Sequence, residues 1–402
     1  MEEQPSAAPE PRVHYIDALK ALIVYGILLY HVCLPFSTTS WLVHDRGESA
    51  ILTLFAAFCF PWGIPLMFLI AGSASWFGLR SRGGRRFVQE RFLRLVLPML
   101  AGIAVLSPLQ WFAIQGRPWT FAGLLAAYPA FLRQVRLAWD PVILGRVGYH
   151  LWFLGDLFAI SLVALPLMLW LRSPAGRDTT RRVVDLTRAR GGVYLLCVPL
   201  VAWQMLLRAK FSGYQDWADV ATYTFVFLAG YLLIADRRYE AAVRRDIDLF
   251  LAVGLVSVIA VGLLGILPGL APETAGASAL RQEVYAVFWS LNIWSWLLAV
   301  LYLGIRWLDV PRRIVEYASE SALPFYVLHH PVVVILAASV VRLDMGVWPK
   351  FAMLLVGSLA TTLALYEFGV RRWNVTRFLF GLKALPAEDG ERELTVVGRV
   401  AA

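Results

Sequence analysis

Charge is scarce in this chain. Asp, Glu, Lys and Arg together make up 16% of its 402 residues, where a soluble domain carries about a quarter. That shortage excludes an ordinary water-soluble globule. Cysteine is scarcer still: Cys33, Cys59 and Cys197 lie in apolar segments without metal-site spacing, which argues against a disulfide framework or a thiolate metal centre and for small buried side chains. The first fourteen residues, acidic and proline-rich, lack the basic n-region and small-residue cleavage site of a signal peptide, so the first apolar segment is expected to be retained. The chain contains no GxSxG elbow, Walker loop, dinucleotide fingerprint or HExxH, and no internal repeat. No tightly bound cofactor is expected, and an inverted-repeat transporter gains no support.

What the chain has in abundance is apolar sequence: 59% hydrophobic residues and 16 tryptophans, with a mean hydropathy of +0.63. Stretches long enough to cross a bilayer fall at about 16–36, 51–79, 92–112, 147–171, 191–208, 218–234, 247–268, 284–303, 321–341 and 350–371. The predicted fold is therefore all-α, a polytopic transmembrane bundle of about ten spans. With the N-terminus inside, 26 of the 37 Lys and Arg fall in cytoplasmic segments and 10 outside, which places both termini in the cytoplasm. The net charge of +9 is explained by these loops and implies the lipid bilayer, not nucleic acid, as partner. The organisation reads as an N-terminal tail at 1–14, a membrane domain at 15–383 and a polar, disordered tail at 384–402. The longest outer connection, about 113–146, has room for an interfacial helix.

Ionisable groups inside spans are costly and mark pathways or reaction centres. Lys20 and His31 are eleven residues apart in the first span, three helical turns plus about 20°, so they share a face; Asp17 lies about 40° beyond His31 on that face. Asp17 and Lys20 have a second reading, a mutual i, i+3 pair or a lysine snorkelling to the headgroups. His31 has no such exit, and imidazole is the group best suited to move a proton near neutral pH. His329 and His330 fall near mid-membrane, about 100° apart on a helix, so one can face the interior while the other packs on a neighbour. That spacing disfavours a metal site. His150, followed by Trp152, opens the fourth span and reads equally well as part of an interfacial aromatic belt. Glu367 has Arg371 as an i+4 partner. Arg91 and Arg94 share a face at the start of span three, as positive-inside anchors or as a grip for an anionic ligand.

Taken in order, these segments resemble the membrane-bound acyltransferase type 3 family. Asp17-Ala-Leu-Lys20 followed by His31 is similar to its opening signature. Leu66 to Gly72 resembles its aromatic run, Arg91 and Arg94 its basic pair, Tyr326-Val-Leu-His329 its late Tyr-x-x-His, and Tyr366-Glu367 its final-span glutamate. His150 to Phe153, Leu328 to Pro331 and Phe378 to Lys383 look like the glucan biosynthesis protein C branch, whose members succinylate periplasmic glucans.

The resemblance implies an acyltransferase in the bacterial inner membrane that uses succinyl-CoA or acetyl-CoA as co-substrate. Its phosphates would lie near Arg91 and Arg94, with the thioester arm passing Lys20 and Asp17. It implies His31 as general base on a hydroxyl of a periplasmic or cell-surface glycan, with His329 or His330 assisting, and His150, Trp152 and Glu367 on the acceptor side or structural. Where the family has arginine this chain has Lys20, which keeps the charge and loses the bidentate fork. The residues alone leave room for a proton-coupled transporter or flippase, and for a lipid or a small glycosylated metabolite as acceptor. They do not reveal an oligomeric state.

Overall fold

A computed structural model of the chain describes residues 13–81, 83–116, 119–134, 141–266, 275–309 and 313–385. The expected tails lie outside these residues, apart from positions 13–14 and 384–385. Every regular element among the described residues is helical, as a bilayer demands, since helices satisfy their backbone polar groups internally. In chain order they are α1 (His14–Cys33), α2 (Ala50–Ser81), α3 (Gly84–Ile114), α4 (Phe121–Gln134), α5 (Ile143–Leu171), α6 (Pro174–Leu186), α7 (Gly192–Arg208), α8 (Trp217–Ala235), α9 (Arg237–Arg245), α10 (Ile247–Ile266), α11 (Ser278–Leu308), α12 (Arg313–Val340), α13 (Val347–Val370) and α14 (Asn374–Leu379). Among the described residues, nine helices are long and apolar enough to cross a membrane, while α4 and α7 are shorter apolar helices.

The tenth expected span is α7, and packing shows that it traverses. The helices α5 and α8 run parallel: Trp152 packs on Tyr223 at one end, with ring centroids 5.8 Å apart, and the Tyr231 hydroxyl donates to the Met168 carbonyl at 3.2 Å toward the other. The chain thus leaves α5 at one end of the bundle and enters α8 at the opposite end, so α7 must return it. Its six residues of 3-10 helix, Gly192–Cys197, followed by eleven of α-helix, Val198–Arg208, reach about 28 Å, the thickness of a hydrocarbon core.

The two ends of the described chain emerge on one side. There the Tyr15 amide donates to Asp309 at 3.3 Å, Arg377 meets Glu320 at 3.5 Å, and Gly381 lies against the Arg94 backbone. This is the arginine-rich end of the bundle. At the opposite end the amphipathic helix α4 fills the long connection, its Tyr128 hydroxyl reaching the Val105 carbonyl of α3 at 3.4 Å.

Glycines set the closest approach in the core. A Cβ at Gly72 of α2 would lie 1.9 Å from the Phe227 carbonyl oxygen, and one at Gly230 of α8 would lie 2.0 Å from that of Leu69. Only glycine lets these backbones touch, as small residues do in membrane helix pairs. The Ser73 hydroxyl uses that proximity to donate to the Gly230 carbonyl at 3.0 Å.

Candidate active site

The parallel pair α1 and α12 carries the centre of the site. Ser319 donates to Asp17 at 2.9 Å near the arginine-rich end, Tyr25 and Ser321 share a hydrogen bond of 2.9 Å, Tyr25 stacks on Phe325 at 4.2 Å, and His31 meets His329 three turns above Lys20. The sequence phasing of Asp17, Lys20 and His31 thus becomes one continuous stripe along α12.

Four imidazoles gather at the top of that stripe. His31 and His330 are 4.7 Å apart by ring centroids, His31 and His329 5.2 Å, His150 and His329 5.2 Å, and His150 stacks on His330 at 4.6 Å. All four are buried, His329 completely. Both adjacent histidines of α12 therefore face the same centre, where the 100° argument left room for one to pack elsewhere. The reason is that His31 and His150 approach from two sides: the rings of His329 and His330, 6.2 Å apart, bracket a shared wedge. His150 is not part of an interfacial belt. A 3-10 turn, Tyr149–Leu151, entered through Tyr149 at a positive φ of 51°, folds it inward at the head of α5.

Backbone carbonyls fix the tautomers, because a carbonyl oxygen only accepts. His31 Nδ1 lies 2.9 Å from the Ile27 carbonyl and so carries its proton there. His329 Nδ1 lies 2.7 Å from the Tyr326 carbonyl, and His150 Nε2 donates to that same oxygen at 2.9 Å. The remaining nitrogen of His329, Nε2, accepts from His31 Nδ1 at 3.2 Å. His31 is thus left with its lone pair on Nε2, backed by a neutral imidazole, the arrangement of a general base with an orienting partner. Pro331 contributes locally: it has no N–H, so the Val327 carbonyl loses its helical partner. The Tyr326 hydroxyl donates to the His150 carbonyl in return.

Three further side chains in or beside this cluster were not singled out from sequence. Gln110 of α3, fully buried, accepts from His330 Nδ1 at 2.6 Å; a lone amide in an apolar run was the available signal. Trp41, from the loop after α1, packs on His31 and His330 at 6.2 and 5.7 Å; nothing local announced it. That loop is held by a buried ion pair, Lys350 to Asp45 at 2.7 Å. Asp156 of α5 is buried with its Oδ2 unpaired, and an intramembrane carboxyl is visible in any sequence scan.

Below the cluster, a cavity of about 790 Å³ opens at the arginine-rich end. Asp17, Lys20, Arg91 and Arg94 all line it, together with Arg377 and Lys383. Arg91 turns inward to donate to the Ser75 hydroxyl and, at 3.3 Å, to the Ala71 carbonyl. The acids Glu90, Glu316 and Glu320 also border the cavity, so its field is mixed, with a small excess of positive charge. At its inner end stands Tyr326, one turn before His329; none of the four histidines is itself among the lining residues described.

Glu367 and Trp152, expected on the acceptor side or as structural residues, make packing and pairing contacts. Glu367 is paired with Arg371 at 2.9 Å and accepts from the Tyr317 hydroxyl at 3.2 Å, away from the cavity lining at the arginine-rich end. Trp152 is buried between Tyr223 and Tyr214 as packing. Among the described residues no group of three or more His, Cys, Asp or Glu is placed to hold a metal ion.

A family model described as an acyltransferase domain matches residues 13–367. The chain belongs to the acyltransferase type 3 family. As a member it is an acyl-transferring enzyme embedded in a membrane through many passes. It is similar to the protein named Glucans biosynthesis protein C of Salmonella gallinarum, at 24% identity over 397 residues, covering 94% of this chain and 97% of the relative. The protein of the same name from Salmonella schwarzengrund is likewise 24% identical over 395 residues, covering 94% and 97%. No solved structure matches the chain.

Proposed function

We propose that this acyltransferase moves a succinyl or acetyl group from cytoplasmic acyl-CoA to a hydroxyl of a periplasmic or cell-surface glycan, across the bacterial inner membrane. The observation that carries the reading is His31, with Nδ1–H held by Ile27 and His329 and Nε2 left basic, set above a cavity rimmed by Lys20, Arg91 and Arg94. The positive-inside rule puts that rim in the cytoplasm, where acyl-CoA is, and the histidines toward the outer half. The relatives' printed name favours a glucan acceptor.

In this mechanism the donor phosphates rest against Arg91 and Arg94 while the pantetheine arm passes Lys20 toward Tyr326. His31 Nε2 takes the proton of the acceptor hydroxyl as its oxygen attacks the thioester carbon. The new C–O ester bond forms, the C–S bond breaks, and the thiolate leaves with the proton returned by His31. His329 Nε2 supports the transient imidazolium through the His31 Nδ1–H. A single ammonium at Lys20 gives a point charge in place of a bidentate fork, which suits a pyrophosphate or a terminal carboxylate less rigidly than arginine.

The test is acyl transfer by purified protein in proteoliposomes, with labelled succinyl-CoA or acetyl-CoA inside and glucan outside. Wild-type protein should form labelled glucan ester, and His31→Ala at equal membrane abundance should lose at least about 100-fold. Retained transfer by that variant eliminates the base. Movement of glucan without consumption of thioester points to a transporter instead.

A further inference from the structure

A second cavity, about 760 Å³, lies at the arginine-rich end on the far side of α2 from the donor cavity, between α2, the end of α5, α6 and the end of α8. Its charged lining is five arginines, Arg80, Arg172, Arg177, Arg181 and Arg238, against the single carboxylate Asp236. Asp236 is engaged by Arg238 at 2.8 Å, and two acids outside the lining also pair with these arginines, Asp185 with Arg238 at 2.7 Å and Asp178 with Arg181 at 3.1 Å. Arg172 and Arg177 make no such pair with a carboxylate among the described residues. Arg172 donates to the Leu79 carbonyl and Arg177 to the Arg172 carbonyl, each at 2.6 Å. Carbonyls orient a guanidinium without cancelling its charge, so both forks stay electrostatically available to an anion.

The rest of the lining is apolar and aromatic. Trp76 and Tyr231 stand edge to face at 5.2 Å, and Leu169, 41% exposed on the outside of the bundle, carries the cavity wall to the lipid-facing surface. A cationic rim above an apolar wall that is open to the membrane matches a ligand with an anionic head and a hydrocarbon tail. A water-soluble anion would leave that wall unused, and a zwitterionic lipid would set its own cation against a lining that stays net positive.

We infer that this cavity is a binding site for one anionic glycerophospholipid, its phosphodiester held by Arg172 and Arg177 and its acyl chain running along Leu169 and Leu232. The site is separate from the acyl-transfer centre and stands or falls independently of it.

The test is native mass spectrometry of the full-length protein, exchanged from phosphatidylglycerol-containing micelles into lipid-free detergent. Wild-type protein should retain one phosphatidylglycerol. R177Q/R181Q should retain at least tenfold less, while R372Q, which alters an exposed arginine at the same end, should behave as wild type. Phosphatidylcholine of equal chain length should not be retained, and millimolar inorganic phosphate or glycerol 3-phosphate should not displace the bound lipid. Undiminished retention by R177Q/R181Q overturns the site, as does equal loss in R372Q. Equal retention of phosphatidylcholine overturns the charge argument. Displacement by phosphate would make it an anion site without a lipid. Size-exclusion profiles matching wild type establish that the variants are folded.

Discussion

Tyr326 and His150 exchange hydrogen bonds: the Tyr326 hydroxyl donates to the His150 carbonyl, and His150 Nε2 donates to the Tyr326 carbonyl at 2.9 Å. This reciprocal clamp ties the kinked start of α5 to the middle of α12, and its phenol ring also stands at the inner end of the donor cavity. Tyr326→Phe keeps the ring and removes one bond, worth about 1 kcal/mol net. The expected result is a roughly five- to tenfold fall in acyl transfer with an unchanged melting profile outside that margin, read in the proteoliposome assay.

The His31–His329 contact should show as coupling. If His329 acts through His31 Nδ1, His31→Ala and His31→Ala/His329→Ala should be equally inactive, while His329→Ala alone retains partial activity. Additive losses would mean that the two imidazoles work separately.

The α2–α8 crossing should tolerate no side chain. Gly72→Ala places a Cβ where 1.9 Å separates it from the Phe227 oxygen, so the backbones must part. Such overpacking costs about 1–3 kcal/mol, and the readout is a lowered melting temperature in detergent. An unchanged midpoint would contradict the packing described.

The loop that carries Trp41 depends on the Asp45–Lys350 pair, whose side chains are 3% and 7% exposed. Lys350→Met leaves a buried carboxylate alone and should cost about 3–5 kcal/mol, whereas Asp45→Leu/Lys350→Met should recover most of it. Thermal unfolding of the single and double variants tests this directly. A single variant as stable as wild type would show that the pair does not hold the loop.

Outside the membrane, Asp246 joins the start of α7 to the α9–α10 junction. It accepts from Arg245 at 2.7 Å and from the Gly191 amide at 3.0 Å. The Arg245 hydrogen bonds hold its carboxyl below the usual range. A folded pKa beneath the unfolded value, about 3.9, gives stability that is fully present above that value and lost as pH falls through the folded pKa. The stability difference between wild type and Asp246→Asn should therefore be constant from pH 7 to about 5 and shrink below about 4, measured by thermal melting against pH.

How far the sequence reaches is visible in particular residues. The spans were legible because a bilayer imposes one length and one polarity on everything that crosses it, and even the marginal stretch at 191–208 proved to be a traverse. The stripe of Asp17, Lys20 and His31 followed from helix periodicity alone. Position along the span did not settle His150, which a 3-10 turn and a positive φ fold inward, and periodicity did not settle His329 and His330, where the angle between side chains says nothing about how many neighbours share the wedge between them. Glu367 was correctly paired with Arg371, since an i, i+4 contact is local.

Composition and spacing by themselves determined that this is a many-span helical membrane protein with basic loops on one side and a lysine and a histidine on one face of its first helix. Only the tertiary structure decided that His150, Gln110 and Trp41 join His31, His329 and His330, that the Tyr326 carbonyl takes the His150 proton, and that Tyr326 stands between them and the donor cavity. The physical reason is range: hydrophobic length and helical phase are written within some twenty residues, whereas a hydrogen bond between residues 31 and 329 exists only once two distant helices have packed.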